Sequence, residues 1–132
     1  MSGFDLSKEF AINISAEEEG IWEDLGKGAG LLVASIRNKR FKVMFEALPE
    51  LVQKRASRNT ADEDRELMAP IVAKTLLLNW RGIANEGKEL SYSVENASAY
   101  LLKYPRFYEL VSKLSQKDDR FLPKDLEKNL KN

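Results

Sequence analysis

Two residue types that carry much of protein chemistry are missing from this chain. There is no cysteine among its 132 residues, so neither a disulfide framework nor a thiolate metal site can form. There is no histidine either, which removes the commonest general acid–base and the commonest transition-metal ligand together. Net charge is absent as well: Lys+Arg and Asp+Glu stand at 21 each, so no overall field draws in nucleic acid or a membrane surface. No apolar run approaches the roughly 18–20 residues of a membrane span. The opening MSGFDLSKEF lacks the basic and apolar regions of a secretory signal. These absences point to an intracellular, soluble, non-enzymatic domain that uses no cofactor and no metal.

What is present is an ordinary core and an uneven distribution of charge. The hydrophobic fraction of 43% suits one globular domain of this length. Residues 1–25 are acidic, with Lys8 alone against Asp5, Glu9, Glu17, Glu18, Glu19, Glu23 and Asp24. Residues 26–60 are basic, with Lys27, Arg37, Lys39, Arg40, Lys42, Lys54, Arg55 and Arg58 against Glu46 and Glu50. Pairing between the two segments, within one chain or between subunits, is the preferred reading. A nucleic-acid patch over residues 37–58 is the alternative, and Phe41 counts against it because it falls on an apolar helix face.

Phe10-Ala11-Ile12-Asn13-Ile14 alternates apolar with small or polar residues and predicts a short strand. Leu31-Leu32-Val33-Ala34-Ser35-Ile36 predicts a second, mostly covered one. The Gly26-Lys27-Gly28-Ala29-Gly30 cluster fits neither the P-loop nor the dinucleotide fingerprint, which leaves a turn between strands. Glu17-Glu18-Glu19 reads as a solvated turn or a short helix start after Ser15.

Helix punctuation is clearer. Asn38 is placed to cap a helix carrying Phe41, Met44, Phe45 and Leu48 at 3.6-residue spacing. Pro49 interrupts that helix or begins a new turn at Glu50. Thr60-Ala61-Asp62-Glu63 is a capping box, followed by an apolar stripe at Leu67, Met68, Ile71, Val72, Thr75 and Leu76. Pro70 lies within the stripe and predicts a kink or two abutting helices. The acidic residues Asp62, Glu63, Asp64 and Glu66 lack calcium-loop spacing and read as a solvated helix start. Leu76-Leu77-Leu78 leads to Trp80, and a polar loop with Gly82 and Gly87 follows. Ser93 then caps a helix to about Lys103 that buries Ala97, Tyr100 and Leu101. Pro105 opens another helix, with Phe107, Leu110, Val111 and Leu114 on one face. Near the C-terminus Leu122, Leu126 and Leu130 recur every four residues, which permits an amphipathic helix too short to be stable without a partner.

The run NWRGI…GKELSYSVENASAYLLKYPRFYELV resembles the tail assembly chaperones of long-tailed bacteriophages. The positions that carry the likeness are Trp80, Gly82 and Ile83, then Ser93, Glu95, Asn96 and Ala97, then Leu101, Leu102, Tyr104, Pro105 and Phe107. It is firm over residues 74–116 and looser upstream, over LLVASIRNKRFKVMFEAL. These are structural residues rather than a catalytic signature. The resemblance implies a protein of the infected or lysogenic host's cytoplasm that binds the tape measure protein. It would keep that protein soluble while the major tail protein polymerises, and be absent from the finished particle. In many such phages a programmed frameshift adds a C-terminal extension, which here would replace or extend residues 117–132.

The fold expected is mainly α with a small β element, an α+β protein of several short helices around one core with a two-stranded hairpin near the N-terminus; an all-α fold is the alternative. Residues 1–116 form one domain, with the β element at about 9–36 and the helical part at about 38–116. Residues 117–132 form a tail. Expected partners are the tape measure protein, with the major tail protein and self-association as further possibilities. Candidate contacts are Trp80, Tyr92, Leu122 and Leu126, with a core role as the competing reading of Trp80.

Overall fold

The structure is a computed structural model that describes Leu6, residues 14–57 and residues 62–121. The chain is α+β. In order it forms α1 (Ile14–Glu19), β1 (Ile21–Gly26), β2 (Ala29–Val33), α2 (Lys39–Glu46), α3 (Glu50–Ser57), α4 (Asp62–Thr75) and β3 (Leu77–Arg81). Then come the short strands β4 (Ala84–Asn85) and β5 (Lys88–Glu89), α5 (Val94–Lys103), α6 (Pro105–Gln116) and a 3-10 turn at Asp118–Phe121.

The expected hairpin exists, but its first strand is β1 rather than the segment around residues 10–14. Ile14 begins α1, and residues 10–13 lie outside the described residues. The reason is local. Lys27 and Gly28 adopt positive φ, 56° and 79°, between the paired residues Gly26 and Ala29. A two-residue loop with both residues at positive φ folds the chain straight back on itself, so the strand nearest the turn wins the pairing.

Within the part expected to be helical, β3 is a strand. It pairs antiparallel with β2, giving the order β1-β2-β3. Leu31 faces Trp80 and Val33 faces Leu77 across that pair. These four are at most 6% exposed and turn toward the helices. The opposite face carries Trp22, Asn79 and Arg81, all exposed, with the Arg81 guanidinium 4.7 Å from the Trp22 ring centre. Gly82 ends β3 at φ +62°, where a Cβ would stand 2.8 Å from the Gly28 carbonyl oxygen. Only glycine fits that crossing.

α4 is one continuous helix through Pro70, not the two expected as one possibility. Pro70 is exposed, and so is Glu66, whose carbonyl loses its helical partner. Water can satisfy that oxygen, so the helix survives. α4 packs on α5 and β3, and α6 packs on α5 and touches β2.

The caps expected at Asn38 and Ser93 form, while Thr60 and Ala61 of the expected capping box lie outside the described residues. The Asn38 side chain accepts from the Phe41 amide at 2.8 Å and donates to the carbonyls of Ser35 and Thr75 at 2.7 and 2.9 Å. This buried side chain therefore starts α2 and ties it to the end of α4. Ser93 Oγ accepts from the Asn96 amide at 3.0 Å. Tyr104, extended as a residue before proline tends to be, separates α5 from α6, and Pro105 takes the first helical position.

Beyond Gln116 the chain stays packed as far as Phe121, which is 2% exposed. Arg120 donates to the carbonyls of Leu114 and Ile21 at 2.7 and 2.9 Å and lies 3.5 Å from Glu23. Burial pushes its guanidinium below the usual arginine range, and the neighbouring Glu23 and Asp119 oppose that shift.

Candidate partner-binding groove

Two of the residues read from sequence as contacts turn inward. Trp80 is 6% exposed and its indole donates to the Leu90 carbonyl at 2.9 Å. The Tyr92 ring meets it edge-on at 5.2 Å, and Phe107 closes the other side at 6.5 Å. The Tyr92 hydroxyl donates to the Leu77 carbonyl at 2.7 Å, with the Ala73 carbonyl at 3.3 Å. Burial and the charge of Glu95 raise the Tyr92 pKa above 10.0. The competing reading of Trp80 is the right one: with Tyr92 it clamps β3 to the β5–α5 loop. Leu122 and Leu126 lie outside the described residues.

A pocket lies between α2, α4 and α6, over side chains that belong to the core: Phe41, Met68, Val72 and Leu76 are each 7% exposed or less. The floor is Met68 and Val72 of α4 with Leu76 just beyond its end, spaced four apart, and one wall is Ile36 with Phe41 and Phe45 of α2. The two phenylalanine rings stack at 5.4 Å with 15° between planes. The other wall is a stripe of α6: Tyr108, Glu109, Ser112, Lys113 and Gln116. Together they enclose about 610 Å³, in the range of sites that take up ligand side chains. Burial raises the Tyr108 pKa, with smaller opposing effects from Ser112 and Arg65.

Sequence reading placed Phe41 and Phe45 on a core face and saw α6 through its opposite face, Phe107, Leu110, Val111 and Leu114. The stripe at Tyr108, Ser112 and Gln116 looks solvated, and only Tyr108 hints otherwise. An open groove has the same residue pattern as a closed core on two of its three sides.

Three basic side chains of residues 26–60 face carboxylates. Arg37 pairs with Asp118 at 2.9 Å, Lys54 with Glu50 at 3.4 Å, and Arg40 with Glu18 at 4.0 Å. Arg40 also donates to the Glu18 carbonyl, and the Lys39 amide donates to the Glu18 carboxylate at 3.0 Å. Of the acidic N-terminal region, Glu18 alone among the described residues is seen to meet the basic segment, at the start of α2; the other two pairs use Asp118 and Glu50. Among the described residues no group of three or more acidic side chains could hold a metal ion, and no helix is long and apolar enough to cross a membrane.

Among the described residues, fold and groove define a small α+β protein with a channel between α2, α4 and α6 that has an apolar floor and a mostly polar wall. Residues 36–132 match the model of the YdaY prophage protein family, so the chain belongs to that family and is a phage or prophage protein. Every residue that lines the groove lies within the matched segment. No curated protein and no solved structure matches the chain.

Proposed function

We propose that this protein is a tail assembly chaperone that binds the tape measure protein in the host cytoplasm and keeps it soluble until the tail tube grows around it. The observation that carries the reading is the apolar groove of about 610 Å³ flanked by α2 and α6. The prophage family and the resemblance over residues 74–116 support it. A long tape-measure helix exposes apolar residues at i, i+3, i+4 and i+7, and a groove between helices takes up such a stripe. Each copy covers a short segment with modest affinity, and many copies along one chain act together. The major tail protein then displaces them one at a time. The protein performs no chemistry in this scheme.

The test is co-expression with the tape measure protein of the same prophage, followed by pull-down and light scattering. The expected result is a soluble, many-copy complex, lost when Ser112→Trp fills the groove while the circular dichroism spectrum is unchanged. A tape measure protein that stays insoluble beside a monomeric partner overturns the reading. Nucleic-acid binding through residues 37–58 is the weaker alternative, because Arg37, Arg40 and Lys54 already face carboxylates. A salt-dependent shift with a labelled oligonucleotide would favour it.

A further inference from the structure

We infer that two copies of this chain pair face to face through the sheet surface that points away from the helices. The strand register sets the side chains of that surface. Trp22, Leu32 and Asn79 form one row across the three strands, and Asp24, Gly30 and Arg81 form the next. Residues directly opposite in an antiparallel sheet share a face, so all six belong to the outer one. Trp22, Asp24, Asn79 and Arg81 are exposed there, and Trp22 keeps 39% of its surface open.

Arg81 is held in place on this face. A Cβ at Gly30 would stand 3.1 Å from its Nε, so the side chain crosses β2 over that glycine. Its guanidinium ends 4.7 Å from the Trp22 ring centre. Among the described residues no carboxylate pairs with Arg81 and no acceptor takes its side-chain N–H groups. Asp24, in the same row, accepts instead from the Gly26 amide at 2.8 Å. Tryptophan and arginine side by side are the residues in which binding energy concentrates at protein interfaces.

The charges say what covers them. Trp22 and Asp24 stand two residues apart on β1, about 7 Å, so a cation over the indole and an anion lie next to each other. A two-fold axis across the strands, between the two rows, sets each guanidinium opposite the other copy's Asp24. The same operation puts each Leu32 against the stem of the other copy's Arg81, where it lies over Gly30. Every contact then occurs twice, as an isologous interface requires. A nucleic-acid backbone would meet Arg81 and be repelled by Asp24 beside it. Three strands of five residues span roughly 15 by 17 Å, well short of the roughly 800 Å² per partner of a stable complex. The pairing is therefore weak, with a Kd on the order of 100 μM. The floor of the groove shares its core with Leu31, Val33 and Trp80 of the inner face, so pairing leaves the groove free, and the inference holds whatever the groove binds.

Sedimentation equilibrium on the full-length protein, up to about 1 mM or roughly ten times that Kd, is the test. The wild type is expected to rise in mass from monomer to dimer. Asp24→Lys and Arg81→Glu each put like charges across the axis, and each is expected to weaken self-association about tenfold or more. Mixing the two variants in equal amounts restores both opposite pairings, so a heterodimer of wild-type strength is expected. Circular dichroism checks that each variant folds. If Asp24→Lys disturbs the β1–β2 turn, Trp22→Ser, which leaves that turn intact, serves as the dissociating variant. A wild type that is monomeric throughout, folded variants that pair as well as the wild type, or a mixture of folded variants that stays monomeric overturns the inference. Should a monomeric wild type lose the co-expressed tape measure protein on Arg81→Glu, the face belongs to that partner instead.

Discussion

The region around Trp80 and the groove beneath α6 use the same materials to opposite ends. Around Trp80 a phenol meets the indole edge-on and a phenylalanine meets it at a tilt, and both polar atoms find backbone carbonyls. In the groove two stacked phenylalanines and the apolar side of α4 face a mostly polar stripe of α6 that meets the core through Tyr108. Aromatic residues alone therefore do not mark a contact surface in this protein; what separates the regions is whether a third element closes over them. Closure comes from β3 and the β5–α5 loop at Trp80. At the groove α2 stands apart from α6, joined to the rest of the fold at Asn38 and along α4.

Substitutions should separate the two regions in size and in kind. Trp80→Ala removes a buried ring and leaves the Leu90 carbonyl without its donor, for an expected loss of about 3–5 kcal/mol in urea denaturation. Asn38→Ala, at the hinge between the regions, strips three hydrogen bonds from a site 1% exposed and should cost about 2–3 kcal/mol. Its marker is an α2 that exchanges amide hydrogens faster than α5. Gly82→Ala, which drives a Cβ toward the Gly28 carbonyl at positive φ, should cost about 1–2 kcal/mol and loosen the sheet without touching the groove. Phe45→Ala is expected to cost only about 1 kcal/mol, since that ring is half-buried, yet to abolish retention of the tape measure protein. If Phe45→Ala unfolds the chain as Trp80→Ala does, the groove is part of the closed core and the contrast fails.

The smallest effect is a pH dependence shared by both regions. Tyr92 near Trp80 and Tyr108 in the groove both have pKa values raised by burial above 10.0. Folding thus favours their neutral forms, a contribution fully present below pH 10.0 and lost as pH climbs through the folded values. Urea denaturation near neutrality and again above pH 10.0 should show the decline, and Tyr108→Phe should make it shallower. An unchanged slope in that variant assigns the decline to Tyr92.

Much of the helical part was legible because its signals are short-range. Asn38, Ser93 and Pro105 each fix a helix start through atoms within three or four residues, and all three do so in the structure. The glycine cluster at residues 26–30 likewise announced its turn. β3 was not legible, since Leu76-Leu77-Leu78 satisfies a helix face as well as a covered strand, and only β2 lying alongside selects the strand. The first strand of the hairpin was misplaced for a related reason: alternation around residues 10–14 looked better than Ile21-Trp22-Glu23-Asp24-Leu25, half of which is charged or exposed. Pro70 promised a break that the exposure of Glu66 made unnecessary.

Composition alone excluded cysteine and histidine chemistry, and local sequence fixed the caps at Asn38 and Ser93 and the helix start at Pro105, with α+β as its first reading of the class. Tertiary structure decided which aromatics are buried and where the helices leave a groove. Those outcomes depend on elements far apart in the chain, α2 against α6 and β2 against β3, whose spacing no window of neighbouring residues records. Hydrophobic pattern says that a face seeks cover; packing geometry says whether it finds any.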